Sequence, residues 1–103
     1  MKKYKTIKMF LTTFFGTDAD AYGETYSEIV DTATGLVTGL KDDLSDEVCE
    51  FLHEYPDNES ATLYLNKLTD GQIGDVSFLH PSPVEFLQWL SSYLKQKRDN
   101  HHS

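Results

Sequence analysis

The chain has 103 residues, with 17 carboxylates against 9 lysines and arginines and a formal charge of −8 at pH 7. That length suits one domain able to bury roughly two-thirds of its unfolded surface. The acidity sets the chain against nucleic acid and anionic membrane as direct ligands, because both repel it. With 39% hydrophobic and 13% aromatic residues, it has the content of a folded globule.

Apolar spacing reads as helix after helix, without an internal repeat, a linker or a sustained two-residue alternation. The basic start, the apolar Met9–Phe15 run and Ala19-Asp20-Ala21 sketch a signal peptide. Two threonines interrupt the run and Asp18 and Asp20 crowd the cleavage position, so a folded segment is expected instead. Ile7, Phe10, Leu11, Phe14 and Phe15 fall at helical intervals, and Gly16 offers a stop. A strand is the competing assignment for residues 4–15. Residues 17–24 read as a polar loop.

Thr25-Tyr26-Ser27-Glu28 has capping-box spacing. Tyr26, Ile29, Val30, Ala33, Val37 and Leu40 then mark one helical face. Gly35, Gly39 and three threonines weaken it, so this helix leans on packing or breaks near Gly35. Ser45 is expected to cap the following helix, with Leu44 just outside it and Val48, Phe51, Leu52 and Tyr55 facing inward. Asp46 and Glu47 would suit its first turn, and Pro56 would end it.

A further helix begins at Asn58 or Ser60, with Leu63, Tyr64 and Leu68 on one side and Asp70-Gly71 at its close. Residues 72–81 read as a buried loop or a single helical turn. Ser82-Pro83-Val84-Glu85 opens the last helix with a cap, a first-position proline and a third-position glutamate. Phe86, Leu87, Trp89, Leu90, Tyr93 and Leu94 make that helix broadly apolar and therefore central. Lys95, Lys97 and Arg98 complement its dipole. The expected architecture is all-α, a single-domain bundle of about five helices over residues 1–103, with 95–103 a partly frayed tail.

Little catalytic chemistry is legible. There is no phosphate-cradling loop and no Cys/His pair at metal-ligand spacing, and Asp18-Ala19-Asp20 lacks the rest of a calcium loop. His53 is expected at the surface beside Glu54, His80 in a loop before Pro81, and His101-His102 in the tail. Cys49 is the sole cysteine, so no intrachain disulfide forms, and an inert residue in the core or at its boundary is expected. The carboxylates lack the contrasting environments that acid–base catalysis needs. No catalytic residue, cofactor or metal is assigned, and a non-enzymatic protein is expected. No stretch approaches the roughly 20 apolar residues of a membrane span, and a cytoplasmic location is expected.

The charge is unevenly placed. Seven of the nine basic residues sit near the two ends, so residues 9–94 hold two lysines against sixteen carboxylates, a formal charge of −14. Such a field costs self-repulsion and specifies no fold. It either keeps a small protein soluble or meets a positively charged partner. The densest run is Asp42, Asp43, Asp46, Glu47, Glu50, Glu54, Asp57 and Glu59.

Two segments carry a resemblance: Phe14-Phe15-Gly16-Thr17-Asp18 and Phe86-Leu87-Gln88-Trp89-Leu90. The chain resembles the helical immunity proteins of bacterial contact-dependent growth inhibition systems. In that family an aromatic pair leads into an aspartate-containing loop, and acidic helices run to a final helix with a tryptophan-leucine pair. The resemblance spans residues 10–95 and departs at Gly16-Thr17, where the family has a polar pair, and at Ala19, where it has tryptophan.

The resemblance implies a protein that binds and neutralises a cognate toxin C-terminal domain in the cytoplasm, that domain being a basic nuclease. The eight acidic residues above would engage it, with Tyr55, Tyr22 or Tyr26 as aromatic anchor. No direct nucleic-acid or membrane contact is expected, and oligomeric state stays open. Two alternatives share the composition: an acidic nucleic-acid mimic that inhibits a DNA- or RNA-binding enzyme, and a helical adaptor module whose acidity only maintains solubility.

Overall fold

A computed structural model describes residues 4–16, 21–74, 76, 79 and 82–100, the last three by their backbone. Its elements in order are α1 (Lys5–Phe14), α2 (Tyr26–Leu36), α3 (Leu40–Glu54), α4 (Asn58–Leu68) and α5 (Pro83–Asn100), with no strand among the described residues. The fold is an all-α bundle. The strand assignment for residues 4–15 fails because Ile7, Phe10, Leu11 and Phe14 bury one helical stripe.

Local signals set several boundaries as expected. Thr25 accepts the Glu28 N–H at 3.2 Å, and the Glu28 carboxylate accepts the Thr25 N–H at 3.3 Å, completing the capping box. A Cβ on Gly23 would lie 2.6 Å from that of Glu28, so the turn into α2 needs glycine there. Helix α2 ends at Leu36, close to the weak point at Gly35. At α5 the Ser82 hydroxyl accepts the Glu85 N–H at 3.2 Å, and α5 runs on through Asn100.

The start of α3 departs from expectation. It begins at Leu40 rather than after Ser45, because Gly39 turns the chain at φ 80° without a side-chain cap. Asp42 and Asp43 therefore occupy the first turn, while Leu44 and Ser45 are buried inside the helix. Helix α4 begins at Asn58, as expected, and Asp57 caps it, accepting the Ser60 N–H at 2.9 Å. Asn58 and Asn66 instead pin the chain leading into α5, accepting the Val84 and Val76 N–H groups, each at 2.9 Å. Within residues 72–81, Val76 and Leu79 are buried as a buried loop requires, whereas Gln72 and Gly74 are exposed.

Helices α3 and α5 form the central pair, with α1 against α3, α4 against α5, and α2 touching α1 and α3. Phe51, Phe86, Leu87, Leu90 and Leu94 fill the space between them. Aromatic rings continue that core outward. Phe15, Tyr26 and Phe86 meet edge-on or tilted at centroid distances of 5.1–5.4 Å, and Phe14 meets Tyr22 at 4.8 Å. Tyr22 and Tyr26, considered above as anchors for a partner, are thus packed against the core.

Candidate functional site

The carboxylates of the dense run divide by what they do. Glu47, at the middle of α3, faces α1, and its Oε1 accepts the N–H groups of Thr6 and Ile7 at 2.9 and 3.0 Å. Those amides belong to the first turn of α1, where the preceding Tyr4 offers no side-chain cap. The acid that reads as a first-turn residue of its own helix is therefore the cap of another. Two turns on, Glu54 accepts the Tyr4 hydroxyl at 2.6 Å. Burial first, and then this bond to an anion, push the Tyr4 phenol well above its ordinary value.

Asp57 is committed to α4, and the Ser60 N–H holds its carboxyl below the usual carboxylate range. Glu59 lies exposed in the first turn of α4, where the dipole favours it. The remaining four, Asp42, Asp43, Asp46 and Glu50, are exposed on α3. At 100° per residue, 43, 46 and 50 form one row, with 42 beside it. This row points away from the buried stripe of Leu40, Leu44, Val48 and Phe51.

Tyr55 sits at the junction of α3 and α4, half-buried, stacked on Tyr64 at 4.7 Å and against Phe51 at 5.0 Å. With Ser60, Leu63, Tyr64 and Lys67 it lines an open surface hollow of about 230 Å³. Leu63, expected to face inward, is 61% exposed at the edge of that hollow. Ala61, Leu65 and Leu68 carry the burial of α4, which turns Leu63 to the opposite side. Sequence spacing around 63, 64 and 68 misses this because the true stripe starts from the small Ala61.

A second polar cluster joins α2 to α5. Asp31 Oδ1 accepts the Tyr93 hydroxyl at 2.8 Å and the Lys97 ammonium at 2.6 Å. Tyr93 stacks on Trp89 at 5.1 Å, and the Lys97 ammonium lies 5.6 Å from the Tyr93 ring centre. Burial pushes the Asp31 carboxyl up, but the Lys97 and Tyr93 bonds outweigh it and hold it below its ordinary value. One of the basic residues near the C-terminal end therefore ties two helices together, beyond complementing a dipole.

Cys49 lies on the exposed side of α3 rather than in the core, its sulfur 3.4 Å from the Ser91 hydroxyl. His53 is exposed in the last turn of the same helix, and His80, His101 and His102 lie outside the described residues. Among the described residues no cluster of three or more His, Cys, Asp or Glu side chains is placed to hold a metal. Among the described residues no helix is long and apolar enough to cross a membrane. No family model, no curated protein and no solved structure matches the chain.

Proposed function

We propose that the protein is an immunity protein that binds and neutralises the toxin domain of a contact-dependent growth inhibition system in the cytoplasm. The toxin is a basic nuclease, and the contact surface is the outer row of α3, namely Asp42, Asp43, Asp46 and Glu50. The observation that carries this reading is the exposure of four carboxylates side by side on one helix face, Asp42, Asp43, Asp46 and Glu50 on α3. The aromatic pair Phe14-Phe15 and the Trp89-Leu90 pair add the family resemblance.

The mechanism is electrostatic capture followed by occlusion. A row of like charges on a body of −14 attracts a basic cleft from beyond contact range and speeds encounter. Once docked, the carboxylates occupy positions that phosphates would take. Co-expression with the C-terminal domain of a large toxin encoded directly upstream tests the reading. The pair should copurify and the host should survive the toxin. An upstream toxin domain that neither binds nor is silenced would refute it.

A further inference from the structure

Helix α4 turns one row of side chains straight outward. Opposite the buried Ala61, Leu65 and Leu68 stand Glu59, Leu63 and Lys67, one turn apart on an i, i+4, i+8 row. Leu63, at the centre, is one of two large hydrophobics exposed among the described residues. Beside it lies the hollow walled by Tyr55, Ser60 and Tyr64. This face thus carries an apolar knob, an adjacent apolar hollow, a carboxylate one turn before the knob and an ammonium one turn after it.

We propose that this face is an interface with a second copy of the chain, the two α4 helices crossing antiparallel about a two-fold axis at Leu63. In such an interface residue i meets residue j while j meets i. Glu59 and Lys67 lie four residues to either side of Leu63, so antiparallel pairing sets each copy's Glu59 against the other's Lys67. Each Leu63 enters the hollow of the opposite copy.

Charge selects this occupant. Lys67 is one of only two lysines between positions 9 and 94, and with Glu59 it gives this row one charge of each sign, the pattern that an antiparallel second copy complements. A second copy would ordinarily be repelled by a net charge of −8, and the Glu59–Lys67 exchange is what offsets that locally. The outer row of α3 takes no part in the seam, so the inference stands independently of the proposed function. One helix row and a hollow amount to less than the roughly 800 Å² per partner of a standard interface, so the dimer is weak, with a dissociation constant on the order of 0.1–1 mM.

Sedimentation velocity between about 20 µM and about 2 mM brackets that range and tests the seam on the native chain, Glu59→Lys, Lys67→Glu and the double reversal. The native chain should dimerise with concentration. Each single reversal, which sets like charges together, should weaken dimerisation about tenfold or more, and the double reversal should restore it. Amide NMR shifts that move with concentration should map to α4 and Tyr55, and Lys67→Gln with Glu59→Gln serves as a milder pair should a reversal disturb helicity. A native chain that stays monomeric throughout would overturn the proposal. So would single reversals without effect, a double reversal as weak as either single one, or shifts confined to other helices.

Discussion

The Glu47 carboxylate, at the middle of α3, closes the first turn of α1 through the Ile7 N–H at 3.0 Å, with the Thr6 N–H sharing the same oxygen at 2.9 Å. Two amides without intrahelical partners are satisfied by a side chain forty residues away. Glu47→Ala should therefore cost about 1–2 kcal/mol, a fall of roughly 5–12 °C in Tm for a domain of this size. Glu47→Gln keeps an acceptor oxygen and should lose less than half as much. Thermal melts followed by circular dichroism decide it, and an alanine variant as stable as the native chain would remove the cap from the account.

Tyr4 takes a left-handed conformation at φ 62°, which is strained for a non-glycine residue. Its ring meets Phe51 at 5.2 Å and Tyr64 at 5.7 Å, and its hydroxyl donates to Glu54. A phenol whose folded value lies above its unfolded value of 10.0 holds its proton more tightly when folded. Its contribution is complete below pH 10 and is lost as the pH rises from there toward the folded value. Denaturant titrations should show stability falling above pH 10, and Tyr4→Phe should flatten that limb while costing about 0.5–1.5 kcal/mol at neutral pH.

Asp31 gives the opposite sign. Its folded value lies below the unfolded 3.8, so its contribution is present above that pH and is lost as the pH falls through the folded value. Both partners in the ion pair are substantially exposed, which limits the pair to about 0.5 kcal/mol. Asp31→Asn should lower stability by that amount at pH 7 and shrink the loss on the acid side. A variant with an unchanged acid limb would contradict the coupling of Asp31 to Lys97.

Gly39 marks the break between α2 and α3 with φ 80° and open space around its missing side chain. Gly39→Ala should cost about 1 kcal/mol through backbone conformation alone, because nothing stands where the methyl group would go. Gly35 has equally open surroundings, but lies within α2 at negative φ, so Gly35→Ala should stabilise by about 0.4–1 kcal/mol. Opposite signs from the same substitution four residues apart, measured by denaturant titration, would verify the helix break.

Helix content, the capping box at Thr25, the Ser82 cap and the central place of α5 were legible because each depends on residues within one turn or on a broad apolar stripe. The start of α3 was not. Ser45 has the chemistry of a cap, but the chain turns at Gly39, and burial of Leu40 and Leu44 extends the helix backward past it. The role of Glu47 was equally hidden, since a cap supplied by a distant helix leaves no local spacing to read. Leu63 misled for a related reason. A leucine looks like core until the small Ala61 is known to set the buried face.

The candidate surface was legible as a composition and not as a geometry. Residue types alone grouped all eight acids as one candidate surface, with Asp46 and Glu47 also suiting the first turn of a helix. The fold redistributes them, with Glu47, Glu54 and Asp57 held by α1, Tyr4 and α4, and Asp46 on the outer row.

The central claim is that the outer row of α3 docks a basic toxin domain, and calorimetric affinity for that domain as a function of salt tests it most directly. Neutralising the row as Asp42→Asn, Asp43→Asn, Asp46→Asn and Glu50→Gln removes four exposed charges from α3 while keeping side chains of nearly the same shape. The native complex should weaken steeply with salt, and the neutralised chain, with its helicity intact, should bind at least about a hundredfold more weakly with a shallower salt dependence. Equal affinity and an equal salt slope for the two chains would contradict it.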